Sequence, residues 1–480
     1  MSKKHLLSKS TYIRSLQCQK SLYLHVKRPF LRDKLPPEQI AKFRRGTNIG
    51  VIARDLFPGG VNMSPRSPSQ YQKMREETAK LIENQQDNIV YEAIFQHNDV
   101  LIMLDILVKN DDGWHAFEVK SSLSISETYL QDAALQYYVI TGSGLPLQSF
   151  TLIYVNEEYV LEGELDIHRL FTMKDVSNEV DAMLSITKKQ IEEAKATLRL
   201  QSSPPIPIGT HCYHPYPCDF IGHCWKHVTD DSVLHLQSLT LETRFNLYYK
   251  GIERVSQIND LDDLETETQL EIQSFVQERI VSDEQKRFKL IDEMQEKLSK
   301  PVYFKLLTKE AALPVIPFTR PYSFPPVALS YGDNRHSVLL LFEETEQDIH
   351  RFFNIVSKLI DEFSLLITDD LTDLYKLLNG FPKAEFTDQF IAQKFIGIRQ
   401  FIEETSMFHP QLTQDADISI IAGILGVKSR KLTHPLYILK DIENDISSQG
   451  QAKVSSKMEA YLYHIQAAFD LLVRQPTLFG

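Results

Sequence analysis

The stretch that most constrains this chain is a pair of apolar runs, 101–109 (Leu-Ile-Met-Leu-Asp-Ile-Leu-Val-Lys) and 114–120 (Trp-His-Ala-Phe-Glu-Val-Lys), joined by Asn110-Asp111-Asp112-Gly113. The junction is hairpin-turn chemistry, so the two runs are expected to pair as antiparallel strands. That pairing sets Asp105 and Glu118 on neighbouring strands, with Lys120 two residues on and on the same face as Glu118. An acid inside a buried strand costs several kcal/mol in desolvation unless it is paired or holds a metal. Two carboxylates make a hard oxygen site for Mg²⁺ or Mn²⁺. A lysine beside them can orient an attacking water and help deprotonate it. Together these are the minimum set for metal-assisted phosphodiester hydrolysis. A surface hairpin with solvated acids is the competing reading. Asp105 stands between Leu104 and Ile106, and Glu118 between Phe117 and Val119, but strict alternation would also allow the acids to point outward.

The 480 residues are enough for two to four domains, and 42% hydrophobic with 24% charged residues is a globular composition. No apolar run reaches the length of a membrane span. The first eight residues carry charge without a sustained apolar stretch, so no signal peptide is expected and the expected compartment is the cytoplasm. The net charge of −12 argues against a protein that coats DNA indiscriminately, but it is uneven. Residues 1–60 hold thirteen Lys/Arg and three acids, a net +10, which leaves −22 on the other 420 residues. A basic segment beside an acidic metal site suits a channel that tracks a nucleic-acid backbone, with Arg28, Arg32, Arg44 and Arg45 as contacts. A solubilising basic arm is the alternative; the interleaved Tyr12, Tyr23, Phe30 and Phe43 favour a folded segment.

Disulfides are not expected among the four cysteines of a cytosolic chain. Cys212, Cys218 and Cys224 fall in one window with five residues between successive members, and Cys18 stands about 190 residues earlier. Prolines and Gly222 keep the window 211–225 from forming a regular helix, as a metal-wrapping loop requires. Four thiolates suit a [4Fe–4S] cluster or Zn²⁺. A zinc ribbon uses two local C-x-x-C pairs, so the one-plus-three layout favours the cluster. In a zinc version His211, His214, His223 or His227 could replace a cysteine.

Asp105 followed by Glu118-Val119-Lys120 resembles the PD-(D/E)xK nuclease core, with Leu104 in the place of the proline. With the cysteine layout added, the chain resembles the RecB-like nucleases that carry an iron–sulfur cluster. It is most similar to an uncharacterised bacterial family that joins such a nuclease to a ribonuclease-H-like exonuclease domain. The resemblance implies an α/β fold and a cluster that staples the two ends of the nuclease domain. It implies that Asp105 and Glu118 hold Mg²⁺ or Mn²⁺, with Glu92 and the Val119 carbonyl as further ligands, and that Lys120 positions the water. Related nucleases put a His or Glu ligand on a helix matched here by 46–50, which offers Asn48. They also place a Gln and a Tyr on the helix after the site, matched here by Gln136 with Tyr137 and Tyr138; Gln136 is carried over as a site residue.

In chain order, a helix is expected from Ser8 through Cys18 to about His25, and further helices over 38–56, 70–84, 126–140 and 174–200. Strands are expected over 89–95, 150–155 and 158–163, besides the hairpin. The expected domains are 1–230 (nuclease with cluster), 231–300 (helical linker) and 301–480 (ribonuclease-H-like). In the last, the resemblance sets metal-binding acids where this chain has Leu306 and Thr308, which implies a degenerate domain kept for contacts. Glu310, Asp369 and Asp370 are conceivable replacements. The expected function is DNA processing, repair or phage defence, on a DNA substrate that includes single strands, with RNA left open and a protein partner served by the C-terminal domain. The alternatives are an inactive nucleic-acid- or partner-binding scaffold, and a zinc-stapled RNA-binding module.

Overall fold

The computed structural model describes residues 5–35, 37, 39–40, 49–84, 88–259, 261–333, 336–381, 391, 393–428 and 430–474. The chain is mixed α/β with two mixed sheets. It divides into two compact units, one of residues 1–159 and 163–227, the other of 160–162 and 228–480. Among the described residues no helix is long and apolar enough to cross a membrane.

The first unit is built on strands β1 (Leu7–Ser8), β2 (Val61–Asn62), β3 (Ile89–His97), β4 (Val100–Asn110), β5 (Gly113–Lys120), β6 (Leu147–Val155) and β7 (Phe171–Asp175). Their order is β2-β3-β4-β5-β6-β7, with β1 pairing β4. β3 and β4 form a hairpin whose turn residues Asn98 and Asp99 both take positive φ (49° and 58°), as a two-residue turn between right-twisted strands demands. The expected hairpin of β4 and β5 is present and antiparallel, with Gly113 at φ 136°. Its ladder runs only from Ile106↔Phe117 to Asn110↔Gly113. Nearer its start, β4 pairs in parallel with β1, at Leu7↔Val100 and Ser8↔Leu101. β4 therefore has different partners on one edge, and Asp105 sits where they change. Behind the sheet pack the Glu127–Gly142 and Ser177–Arg199 helices, whose Leu135, Val139, Ile140 and Ile191 join Ile102, Leu104 and Phe150 in one core. Each fully buried aliphatic side chain contributes about 1.5–3 kcal/mol.

Three local expectations change. The N-terminal helix is two, α1 (Lys9–Gln17) and α2 (Gln19–Lys27), because Cys18 between them is extended at φ −164°. Residues 158–163 form no strand. Tyr159 and Leu161 are buried, but Leu161 belongs to the second unit and bonds through its backbone to Phe318 and Thr319 within it, and β7 takes the place beside β6. Of the helix expected over 38–56, the part at 49–53 is helical before a short turn at Arg54–Leu56, while Arg44, Arg45 and Asn48 lie outside the described residues.

The second unit has β8 (Pro301–Thr308), β9 (Pro326–Gly332), β10 (Ser337–Leu341), β11 (Leu365–Thr368) and β12 (Phe395–Gly397) in the order β10-β9-β8-β11-β12. The first three are antiparallel and the last two join in parallel. β8 is buried on both faces: Val302, Phe304 and Leu306 enter one core, Tyr303 and Leu307 the other. Residues 231–300 are helical, at Leu241–Tyr249, Thr266–Gln277 and Glu284–Gln295. They carry a small core of Val233, Leu236, Val255 and Ile272 and belong to this second unit.

Candidate active site

The end of the β4–β5 ladder makes the site. One residue past Ile106↔Phe117, Asp105 and Glu118 stand opposite each other, and the strands no longer exchange backbone bonds there. The Asp105 carboxylate instead accepts the Val119 amide at 2.7 Å, so an acid side chain takes over from a ladder carbonyl. Glu118 is 1% exposed, which excludes the solvated-hairpin reading for it.

Glu118 is held by two ammonium groups. Lys120 Nζ donates to its Oε1 at 2.8 Å and Lys9 Nζ to the same oxygen at 2.5 Å. Lys120 also donates to Asp132 Oδ2 at 2.5 Å and lies over the Tyr129 ring at 5.2 Å. Lys9 stands 3.8 Å from Asp132. Burial opposes the charge on Glu118, but Lys120 and Lys9 outweigh it and hold the carboxyl at about 2. Asp105 goes the other way. Burial and the Glu118 charge push it up to about 8 against the pull of Lys9, so it keeps its proton to near-neutral pH. Burial would lower both lysines, yet the surrounding carboxylates raise them above their ordinary value. Two acids pushed apart by their surroundings are a pattern that clusters at functional sites.

Lys9 escaped the sequence reading because it is remote in sequence from the hairpin. The signal was the serine cap before it: Ser8 accepts from the Thr11 amide and starts α1 directly after β1, which sets the first helical residue at the fork. Asp132 was legible as a helical residue but not as the partner of Lys120.

Glu92 lies opposite Asp105 on β3, between the pairs Tyr91↔Ile106 and Ala93↔Leu104. It takes φ 55°, a conformation that costs a side-chain-bearing residue about 1–3 kcal/mol and is often met at functional sites. Its carboxylate accepts from Arg54 at 2.6 Å. Burial raises its pKa, partly offset by Arg54. Gln136 is fully buried one turn beyond Asp132, and among the described residues neither of its side-chain polar atoms has a hydrogen-bond partner.

Carboxylate oxygens are the donors that a hard divalent cation takes. Among the described residues Glu118 Oε2 and Asp132 Oδ1 are buried without hydrogen-bond partners, as are the polar atoms of the Gln136 amide. Among the described residues no three His, Cys, Asp or Glu side chains close around one point as ligands of a single ion. The two facing carboxylates are those of Asp105 and Glu118, while Glu92 is engaged by Arg54.

The four cysteines line one pocket, walled by apolar groups that include Ile206, Pro207, Ile208 and Phe220. All four are free thiols. The break between α1 and α2 delivers Cys18, and the window supplies the rest, with the Cys218 amide donating to the Cys212 carbonyl at 2.8 Å. Burial pushes the Cys218 and Cys224 thiols up, and the three other cysteines add to the shift at Cys224. Four sulfurs lining one pocket are a donor set that suits a [4Fe–4S] cluster or Zn²⁺.

Of the basic residues, Arg28 is exposed. Arg32 donates to Asp219 at 2.6 Å, beside Arg14 at 2.8 Å, and the Asp33 carboxylate accepts the Gly222 amide at 2.9 Å. These bonds lace the N-terminal segment to the cysteine window. In the second unit Leu306 is core, and the Thr308 hydroxyl lies 3.5 Å from Asp373. Next to Leu306, Lys305 is buried and donates to both oxygens of Asp369, at 3.0 and 2.8 Å. Burial works against its charge, but Asp369 and Asp373 push it up to about 12. Asp370, Asp415 and Asp417 line the same cleft.

No family model matches the chain, and no curated protein matches it. Among solved structures it is similar to SSO0001 ("Crystal structure of SSO0001"), at 12% identity, over 48% of this chain and 90% of that one, with a TM-score of 0.24. At that score the likeness carries no argument.

Proposed function

We propose that this chain is a metal-dependent nuclease that hydrolyses phosphodiester bonds of DNA, with its active site at the β4–β5 fork of the first unit. The observation that carries this reading is the Asp105–Glu118 pair, set opposite each other at the end of the ladder with Lys120 beside them and with unpartnered carboxylate oxygen buried nearby. Asp105, Glu118 and the Val119 carbonyl would hold Mg²⁺ or Mn²⁺. That ion supplies charge for the phosphate and activates water for attack. Lys120, fixed by Asp132, presents an ammonium beside the acid pair, where it orients the attacking water by hydrogen bonding. The Val119 amide keeps the Asp105 carboxylate turned into the fork. Gln136 and Asp132 share a helix face and offer buried polar atoms to the same space.

The same reading makes the four cysteines ligands of a [4Fe–4S] cluster that staples the ends of the unit. The finer fold assignments follow the resemblance: a PD-(D/E)xK core for the first unit and a degenerate ribonuclease-H-like domain for the second. The second is supported by a sheet of three antiparallel strands continued by two parallel ones. A scaffold reading has its own support, since Arg54 engages Glu92 and Lys9 engages Glu118. Anaerobically purified full-length protein assayed with Mg²⁺ and Mn²⁺ on single- and double-stranded DNA and RNA separates the two. Cleavage that Asp105→Ala abolishes supports the nuclease; metal-independent binding without cleavage supports the scaffold.

A further inference from the structure

Lys9 is the cation at the acid site that the nuclease reading leaves without a task. It comes from the N-terminal helix, 109 residues from the glutamate it meets, and bonds the same Glu118 oxygen that Lys120 bonds. Two ammonium groups on one carboxylate oxygen repel each other, and Glu118 Oε2 has no hydrogen-bond partner among the described residues. The two lysines differ in freedom: the Lys120 side chain is 12% exposed and shared with Asp132, whereas that of Lys9 is 32% exposed. Lys9 can leave towards solvent by rotating its side chain, while its backbone stays in the Ser8-capped first turn.

The charge balance says when it leaves. With Asp105 deprotonated, as binding a cation requires, the formal charges of Asp105, Glu118, Asp132, Lys9 and Lys120 sum to one net negative, and Glu92 is neutralised by Arg54. A divalent cation added to that set would leave surplus positive charge in a partly buried place. With Lys9 withdrawn the set carries two negative charges, which one divalent ion neutralises. Buried charge that is left uncompensated is costly in either sign.

We propose that Lys9 is a positioning residue: a tethered ammonium that holds the Glu118 carboxylate in the ion-free protein and is displaced from it when a divalent cation enters. The proposal rests on the nuclease reading of the acid pair. It makes the metal affinity of the site a competition between a free ion and a tethered one, tuned from the N-terminal helix.

The test measures Mn²⁺ binding to the full-length, anaerobically purified chain through loss of the free-ion electron paramagnetic resonance signal. Asp105→Asn serves as the control for the site. Lys9→Met should bind Mn²⁺ about tenfold more tightly than wild type, equivalent to about 1.4 kcal/mol. Lys9→Arg, which keeps the competing charge, should stay near wild type. Without ion, Lys9→Met should melt below wild type, and saturating Mn²⁺ should close the gap. Should Lys9→Met fail to fold, the wild-type protein still decides. Acylation of the Lys9 amine, read by mass spectrometry, should rise when Mn²⁺ is added. If wild type binds Mn²⁺ but Lys9→Met binds it no tighter, or Lys9 labelling is unchanged by the ion, Lys9 is a permanent strut and the inference is overturned while the metal site stands. If wild type gives no Asp105-dependent Mn²⁺ binding, the metal-site reading falls and this inference falls with it.

Discussion

The Val119 amide bonds to the Asp105 carboxylate at 2.7 Å, at the point where β4 and β5 stop exchanging backbone hydrogen bonds. One acid thus ends a ladder and enters a site. The bond couples the strand geometry to the orientation of the carboxylate, so changes at Asp105 should be read in both catalysis and stability.

Asp105→Ala and Lys120→Ala should each abolish metal-dependent cleavage, because one removes a ligand and the other the group beside the water. Nucleic-acid binding should persist in Asp105→Ala, since losing an acid reduces repulsion of phosphate. Cleavage and binding assays on the same full-length preparations check this, and retained wild-type activity in Asp105→Ala would sink the assignment.

The two acids give opposite pH dependences. Glu118 is held at about 2, below its unfolded value, so its stabilising share is present above the ordinary carboxylate range and is lost as pH falls towards 2. Asp105 is raised to about 8, so the folded state holds its proton more tightly, and stability should fall as pH rises from about 4 to about 8. In chelator-treated protein the melting temperature should therefore rise out of acid and then decline through neutrality. Asp105→Asn should flatten the decline and leave the acid limb in place.

Protein purified without oxygen should be brown, with absorbance at roughly 400 nm from iron–sulfur charge transfer. Cys18→Ala should lose the colour and unfold at lower temperature, since it removes the anchor most distant in sequence from the window 211–225. A colourless preparation with one zinc and no iron would overturn the cluster assignment.

Arg28 and Arg32 should part company. Arg28→Ala should weaken binding of unrelated sequences alike and reduce the salt dependence. Arg32→Ala should also cost about 0.5–1 kcal/mol of stability, because Asp219 is left with Arg14 alone and the pair is partly exposed. Titrations at several salt concentrations, with urea unfolding of each variant, separate the effects.

In the second unit, Lys305→Met should destabilise by about 3 kcal/mol by leaving Asp369 without its buried partner, and adding Asp369→Leu should recover much of that loss. Neither change should alter metal-dependent cleavage, which the single-site reading assigns to the fork. Urea unfolding with cleavage assays checks both; lost cleavage in Asp369→Leu would point to a second active site.

The local features of the fold and site were legible because they depend on neighbours in sequence. Alternating apolar runs around Asn110-Asp111-Asp112-Gly113 determined the hairpin and therefore which residue faces Glu118. The cysteine window announced itself by spacing, and Cys18 by its isolation from the other three. What the tertiary structure decided lies where distant segments meet. Pairing of β1 with β4 brings Lys9 to the fork. The Glu127–Gly142 helix turns Asp132 towards Lys120, and Arg54 reaches Glu92. Tyr159 and Leu161 alternate like a strand, yet β7 takes the place beside β6. These choices turn on burial and charge compensation between segments far apart in the chain, and periodicity carries no information about a partner more than a few residues away.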